Sequence, residues 1–161
     1  ETAYLGTGSD HAGQLRVYNK EGITSSYLGD GYYQAYNQFG ERTLFLGTGT
    51  SGGGYLRTYN FDGQETVYIG TGADSSGQLR VYDSAGETGT FLGSGYFRTY
   101  NQFGKMTTYL GNGRDGGGYL RTNNKFETET SFLGTNNSNE GLINLNDKFG
   151  QSFWIRLNKG N

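Results

Sequence analysis

The sequence predicts an all-β fold built from short repeats, and three observations carry this prediction. A triplet of an aromatic residue, Leu or Ile, and Gly returns seven times, with its aromatic member at positions 4, 27, 45, 68, 91, 109 and 132. Around each triplet aliphatic and aromatic residues alternate with the period of two that is typical of strands, and helical spacing is absent. Turn signals follow the strand-like segments. We therefore expect two strands in each repeat, about fourteen in all.

The triplets mark the first strand of each repeat, and the repeats have either 18-residue or 23-residue length. The triplets are Tyr4-Leu5-Gly6, Tyr27-Leu28-Gly29, Phe45-Leu46-Gly47, Tyr68-Ile69-Gly70, Phe91-Leu92-Gly93, Tyr109-Leu110-Gly111 and Phe132-Leu133-Gly134. Residues 1–64 align without a gap on residues 65–128, with 36 identities, and an incomplete third copy begins at residue 129. Such self-similarity indicates an array of repeats rather than a single pocket.

The turns between strands are also readable. A marker of Tyr, Asn or Asp, two further residues and Gly predicts a four-residue turn with Gly at positive φ, as in Tyr18-Asn19 followed by Gly22. Asp30-Gly31 and Ser94-Gly95 predict two-residue hairpin turns. The 23-residue repeats differ from the 18-residue repeats at one joint, where we expect solvent-facing Gly-rich loops over residues 7–13, 48–54, 71–77 and 112–118.

The end of the chain departs from the repeat. We divide the sequence into a repeat array over residues 1–134, with duplicated units 1–64 and 65–128, and an atypical segment over residues 135–161. This last segment holds the chain's one Trp, Trp154. Its departure from the pattern predicts a terminal repeat, a cap or a transition to a further segment.

Composition excludes several classes of protein. The chain has 161 residues, 30 Gly, no Pro and no Cys, so we expect no disulfide framework and no thiolate metal site. No apolar run approaches the ~20 residues of a membrane helix, and we expect no membrane insertion. A net charge of −2 lacks the positive footprint that phosphate backbones require, so nucleic acid is not an expected partner.

The two predicted faces of the strands differ in chemistry. One face carries Tyr and Arg and can tolerate water, whereas the aliphatic face requires burial. A single sheet leaves the aliphatic face wet, and a barrel of about fourteen strands encloses a lumen too wide for Leu to fill. Coiling into a solenoid and association of identical chains remain. The residues that we expect in the oligomer core are Leu5, Leu15, Val17, Leu28, Leu46, Leu56, Ile69, Leu79, Val81, Leu92, Leu110, Leu120 and Leu133.

We expect association rather than coiling, because each chain alone has few aliphatic side chains and several chains can pool them. The predicted assembly is an elongated homo-oligomeric β-prism or β-helix, intertwined or side by side. Three chains around a common axis is the expected number, with a higher cyclic ring as the alternative. Closed symmetry limits the open sheet edges that would otherwise recruit other strands.

No catalytic, metal-binding or cofactor-binding residues are expected. His11 is the only His, and it lies in a Gly-flanked loop where the second copy has Ser75, which indicates an exposed loop residue. The Gly-rich loops that hold Asp10, Asp74 and Asp115 resemble calcium-binding turns. These Asp residues stand too far apart in the sequence to share an ion, and no phosphate-binding Lys-Ser or Lys-Thr follows them.

The polar face leaves two readings open. Arg residues at 16, 57, 80, 98 and 121 can bind anionic glycan, or can stack on the Tyr residues two positions away, which we favour. Aromatic side chains can likewise stack on sugar rings. The candidates for glycan contact are Trp154, Tyr18, Tyr59, Tyr82 and Tyr100.

The repeat style resembles a known class of protein. Gly54-Tyr55-Leu56-Arg57-Thr58-Tyr59-Asn60, Gly118-Tyr119-Leu120-Arg121-Thr122 and Tyr100-Asn101-Gln102-Phe103-Gly104 are similar to the β-repeat shafts of trimeric tail fibres of bacterial viruses and of bacterial extracellular adhesive fibres. The segment Tyr82-Asp83-Ser84-Ala85-Gly86 also resembles the Tyr-Asp repeats of toxin-encapsulating shells, a weaker likeness because Asn replaces Asp elsewhere.

The resemblance to fibre shafts implies a function. It implies a non-enzymatic structural fibre segment, outside a cell or on a virion, that mediates attachment to a host, prey cell or surface. The expected partners are identical chains. The alternative is a lectin-like β-repeat module that binds cell-surface glycan and is itself the adhesive part.

Overall fold

The structure is a computed structural model and describes residues 2–9, 11–114 and 116–157. Within these ranges the secondary structure consists of fifteen β-strands and no helix, and neighbouring strands within each compact unit pair antiparallel. The predicted all-β, repetitive architecture is confirmed. The strand count is one higher than the predicted fourteen, because the atypical segment adds a strand over Ser152–Leu157 that pairs with the strand before it.

The chain forms two compact units, Glu1–Gly86 and Glu87–Asn161. Each unit is a meander in which every strand pairs with the next one along the sequence. The first unit contains β1 (Ala3–Thr7), β2 (Gly13–Tyr18), β3 (Thr24–Gly29), β4 (Tyr32–Tyr36), β5 (Arg42–Thr48), β6 (Gly54–Tyr59), β7 (Glu65–Thr71) and β8 (Gly77–Tyr82).

The second unit repeats this plan with seven strands. They are β9 (Thr88–Gly93), β10 (Tyr96–Tyr100), β11 (Met106–Asn112), β12 (Gly118–Asn123), β13 (Glu129–Thr135), β14 (Gly141–Asn146) and β15 (Ser152–Leu157). Consecutive strands are the pairing that short turns permit, so the meander follows directly from the spacing of the turn signals.

The predicted turn at Asn19 and Gly22 forms as expected. Asn19 Oδ1 accepts hydrogen bonds from the backbone N–H groups of Glu21 (3.1 Å) and Ile23 (2.9 Å), and Gly22 takes a φ of 80°. The Asn side chain thus imitates a backbone turn while Gly adopts the left-handed conformation that a side chain would resist. The predicted two-residue turn is also confirmed, since Asp30 and Gly31 both have positive φ.

The Gly-rich loops of the 23-residue repeats are compact turns at the ends of lengthened hairpins. Between β1 and β2 the Gly8 N–H donates to the Ala12 carbonyl at 2.8 Å, and His11 takes a φ of 67°. Ser75, its counterpart in the second copy, takes a φ of 64°. Both side chains are exposed, so His11 is the exposed loop residue that the sequence predicted.

The Gly of the aromatic-Leu-Gly triplet is required by a close approach between strands. A Cβ on Gly70 would overlap the Cβ of Tyr55 and lie 2.8 Å from the carbonyl oxygen of Gly54. A Cβ on Gly134 would likewise overlap the Cβ of Tyr119. Tyr on one strand therefore occupies the space that Gly leaves on the next, a known pairing in sheets.

Replacing Gly70 with Ala tests this contact. We expect Gly70→Ala to destabilise the chain by about 1–3 kcal/mol, because backbone and Tyr55 must shift to admit the new methyl group. The measurement is the midpoint and slope of urea unfolding.

The matched control is Gly77→Ala, at a strand glycine whose added Cβ would meet nothing within 4 Å. It should leave stability unchanged or raise it by about 0.4–1 kcal/mol. Equal losses in the two variants would contradict the steric explanation.

Candidate functional site

The strand register aligns the predicted aliphatic residues other than Val17 and Val81 into a row that crosses each unit, and Tyr33, Phe97, Ile143 and Arg156 complete the row. In this aliphatic row each residue faces its counterpart on the next strand. Its members are Leu5, Leu15, Leu28, Tyr33, Leu46, Leu56, Ile69 and Leu79 in the first unit, and Leu92, Phe97, Leu110, Leu120, Leu133, Ile143 and Arg156 in the second.

The aliphatic row is open to solvent within the single chain. Leu5 is 82% exposed, Leu46 is 50% exposed and Leu110 is 53% exposed. Val17 and Val81, also predicted for the oligomer core, lie on the same face two residues further along β2 and β8. All thirteen predicted core residues therefore share one face of their strands, and among the described residues no side chain is fully buried.

The opposite, aromatic face is covered by a ladder of rings. The same ladder forms once in each unit, at equivalent positions of the repeat. Three of its stacked pairs have ring centroids 4.6–5.8 Å apart. It consists of Tyr27, Tyr32, Phe45, Tyr55 and Tyr68 in the first unit, and of Phe91, Tyr96, Tyr109, Tyr119 and Phe132 in the second. Ring pairs at these distances stabilise a sheet beyond the area that they bury.

Arginine side chains lie over these rings. The Arg57 guanidinium carbon lies 4.7 Å from the Tyr55 centroid, and that of Arg98 lies 4.2 Å from the Tyr96 centroid. Arg57 also pairs with Glu65 at 3.2 Å. The sequence expectation that the Arg column stacks on Tyr is therefore correct for these residues.

The aromatic face is the better covered of the two faces within the single chain, and the aliphatic face is wet, as the sequence analysis expects of a single sheet. Phe45 is 9% exposed and Tyr109 is 6% exposed, and both belong to the ladder. Each Tyr of the ladder that faces a triplet Gly lies against the Gly backbone, and neighbouring rings shield one another from solvent. Leu side chains on strands about 4.8 Å apart stand upright and cannot cover their neighbours in the same way.

Burial shifts the ionisation of phenols on the aromatic face. Burial is the main cause that raises the pKa of Tyr109, and Tyr119 raises it further. Burial likewise raises the pKa of Tyr36, and Tyr32 adds to the rise, while Arg42 and Arg16 oppose it. The Tyr109 hydroxyl donates a 2.7 Å hydrogen bond to the carbonyl oxygen of Asn112.

These pKa shifts predict alkaline unfolding. A phenol whose pKa is raised on folding contributes stability that is complete below its ordinary pKa of 10.0 and is lost as the pH rises through the folded-state value. Urea unfolding measured across alkaline pH, with tyrosinate absorbance recorded in parallel, should show this loss.

The control is Tyr109→Phe, because the first copy has Phe45 at this position. Loss of the hydrogen bond should lower stability at neutral pH by about 0.5–1.5 kcal/mol, but the alkaline decline should become shallower. An unchanged decline would show that another group controls it.

The predicted glycan-contact residues occupy two kinds of position in the strands. Tyr18, Tyr59, Tyr82 and Tyr100 each occupy the last position of a strand, immediately before a turn, and are half-buried. Trp154 faces Leu145 on the side of the aliphatic row and is 42% exposed. Tyr18, Tyr59 and Tyr82 belong to the first unit and Tyr100 to the second, and Trp154 is not on the aromatic face.

A pocket on the aromatic face of the first unit was missed by sequence reasoning. We call it the Gln34 pocket; its volume is about 400 Å³ and it is lined by Arg16, Ile23, Thr24, Tyr27, Tyr32, Gln34, Tyr36 and Gly40. A signal was present in the sequence, because the Arg column runs through positions 16, 57, 80, 98 and 121 but has Gln at position 34.

The structure offers no assembled metal site among residues 2–9, 11–114 and 116–157, where no three His, Asp or Glu side chains cluster. Asp10 and Asp115, which the sequence analysis weighed as calcium ligands, lie outside the described residues. Asp74 accepts a 2.6 Å hydrogen bond from the Ser76 hydroxyl in an exposed loop. The same ranges contain no helix of the length and apolarity needed to cross a membrane.

No protein-family model matches this sequence, and no curated protein is significantly similar to it. The two surfaces that the strands offer to a binding partner are the exposed aliphatic row and the aromatic face with the Gln34 pocket.

Proposed function

We propose that this chain is a non-enzymatic structural segment of a homo-oligomeric fibre, and that identical chains assemble through the aliphatic row. The observation that supports this most strongly is the repeated exposure of that row. In the first unit Leu5, Leu28, Leu46 and Ile69, on β1, β3, β5 and β7, are all about half exposed or more. A contiguous apolar surface on a folded chain marks an interaction site.

The amount of exposed surface supports an assembly of substantial interface. The chain exposes 10597 Å². A compact monomer of 17.6 kDa exposes about 7,900 Å² by the usual scaling with mass. The excess of about 2,700 Å² is comparable with the area that permanent oligomers bury at their interfaces.

The regular spacing of the row favours a second copy of the same chain as the partner. Adjacent row residues lie one strand apart, at ~4.8 Å, and any copy carries the same spacing. Sheets that pack face to face lie ~10 Å apart, which interdigitated Leu and Ile side chains fill. The rows of two copies therefore share one repeat distance.

Three chains around a common axis, with the aliphatic rows inward and the aromatic faces outward, is the proposed arrangement. Such closed symmetry uses each row once and leaves no apolar face for further growth sideways. A shaft of this kind, outside a cell or on a virion, serves attachment to a host, prey cell or surface by providing reach. The resemblance of the repeats to fibre shafts supports that placement.

The assembly is tested by the mass in solution. Light scattering on the purified chain should give three times the 17.6 kDa of one chain, or a larger multiple for a higher ring. A stable monomer at micromolar concentration would refute the proposal, since the exposed row would then have no partner of its own kind.

A single charge in the row should dissociate the assembly. Leu46 is 50% exposed in the chain, so Leu46→Asp should preserve the strand content seen by circular dichroism. In the assembly the carboxylate would be buried without a partner, at a cost of several kcal/mol. We expect the mass to fall to that of one chain.

The matched control is Phe61→Asp, which makes the same kind of change at a turn residue that is 64% exposed and outside the row. Its mass should equal that of the parent. If Leu46→Asp retains the assembly, or if both variants dissociate, the aliphatic row is not the interface.

A further inference from the structure

We propose that the Gln34 pocket binds an acidic sugar, a pyranose that bears a carboxylate. This inference goes beyond the structural role and does not depend on assembly, because every lining residue belongs to the first unit.

The pocket exists where the chain departs from its own repeat. In the second unit the Arg98 guanidinium carbon lies 4.2 Å from the Tyr96 centroid and 5.4 Å from the Tyr109 centroid, so the cation covers the rings. Position 34, the counterpart of Arg98, holds the shorter and neutral Gln. The space that a guanidinium would fill is therefore left open beside Tyr32.

The walls present the groups that sugars require. Tyr27 and Tyr32 have ring centroids 5.2 Å apart and planes inclined by 31°, so the two rings pack together and give the pocket one aromatic wall. Sugar C–H groups pack on such rings. The Tyr36 hydroxyl donates a hydrogen bond to Gln34 Oε1. The NH₂ group of the same amide is a donor that a sugar hydroxyl can use.

The charge of the pocket favours an anion. Arg16 is one of the lining residues, its guanidinium carbon lies 5.5 Å from the Tyr27 centroid, and its Nη2 donates to Gln14 Oε1 at 3.2 Å. The eight lining residues, all within the described part of the chain, include no acid. Arg pairs with carboxylates through charge-assisted hydrogen bonds, so a carboxylate on the sugar can pair with Arg16 while the sugar ring packs on Tyr32.

The size of the pocket fits a small ligand. A volume of about 400 Å³ lies within the range of about 300–1,000 Å³ that is usual for ligand sites. Ile23 and Gly40 adjoin each other in the lining, since a Cβ on Gly40 would lie 3.2 Å from Ile23 Cγ2. The second copy replaces Ile23, Tyr27 and Gln34 by Glu, Phe and Arg at positions 87, 91 and 98, so these pocket features are particular to the first copy.

The experiment is a titration of the whole chain with glucuronate, followed by NMR chemical shifts and saturation transfer. Glucose serves as the neutral counterpart and acetate as the carboxylate without a sugar ring. We expect saturable glucuronate binding that is about tenfold or more tighter than that of either control, the scale of one charge-assisted contact.

The decisive variant is Gln34→Arg, which restores the residue that the repeat carries elsewhere and should fold like the parent. It adds positive charge but fills the pocket, so we expect a loss of glucuronate affinity of about tenfold or more. The control is Gln102→Arg, the same exchange at an exposed turn in the second unit, which should bind like the parent.

Three outcomes would overturn the proposal. Absence of saturable binding to the parent would remove the site, and equal binding of glucose or acetate would remove its specificity for an acidic sugar. Glucuronate affinity that stays the same or increases in Gln34→Arg would place the binding elsewhere. The mass measurement above is read independently, so failure of the sugar site leaves the assembly proposal intact.

Discussion

The contact between a triplet Gly and the Tyr on the adjacent strand organises the rest of the structure. Because Gly70 has no Cβ, Tyr55 can lie against its backbone and bring its ring to 5.8 Å from that of Tyr68. The Gly also leaves room for ring hydroxyls, as at Gly6, where an added Cβ would overlap the hydroxyl oxygen of Tyr4. Repetition of this contact produces a ladder of rings, and the ladder is the part of each unit that is covered from solvent.

Each unit covers one face of its sheet with its own side chains and leaves the other face exposed. The rings of the ladder supply breadth that the few aliphatic side chains lack, so the aromatic face is the better covered face of each unit. Leu46, the residue that follows the buried Phe45 and points to the other face, is half exposed. The proposed assembly follows from this asymmetry. The chain covers its aromatic face with its own side chains, and in the proposed assembly identical chains cover the aliphatic row.

Repetition and departure from repetition have different consequences in this chain. Positions that recur, such as the triplet Gly and the Arg column, maintain the sheet. At position 34 the Arg column is interrupted by Gln, and the pocket lies there because a shorter side chain stands where Arg98 covers the rings of the ladder in the second unit. In the second unit Arg98 covers the Tyr96 ring. Comparison of the two copies therefore separates residues that maintain the sheet from residues that line the pocket.

The sequence by itself determined the strands and the turns of this protein, because these depend on local chemistry. Period-two alternation defines a strand. The turn at residues 19–22 depends on the side-chain hydrogen bond that Asn19 accepts and on the positive φ of Gly22. It also determined which residues share a face. Only the tertiary structure decided which face is covered, since the 9% exposure of Phe45 depends on rings from neighbouring strands. The Gln34 pocket has the same cause: its walls come from β2, β3 and β4, and their register assembles residues that no local pattern connects.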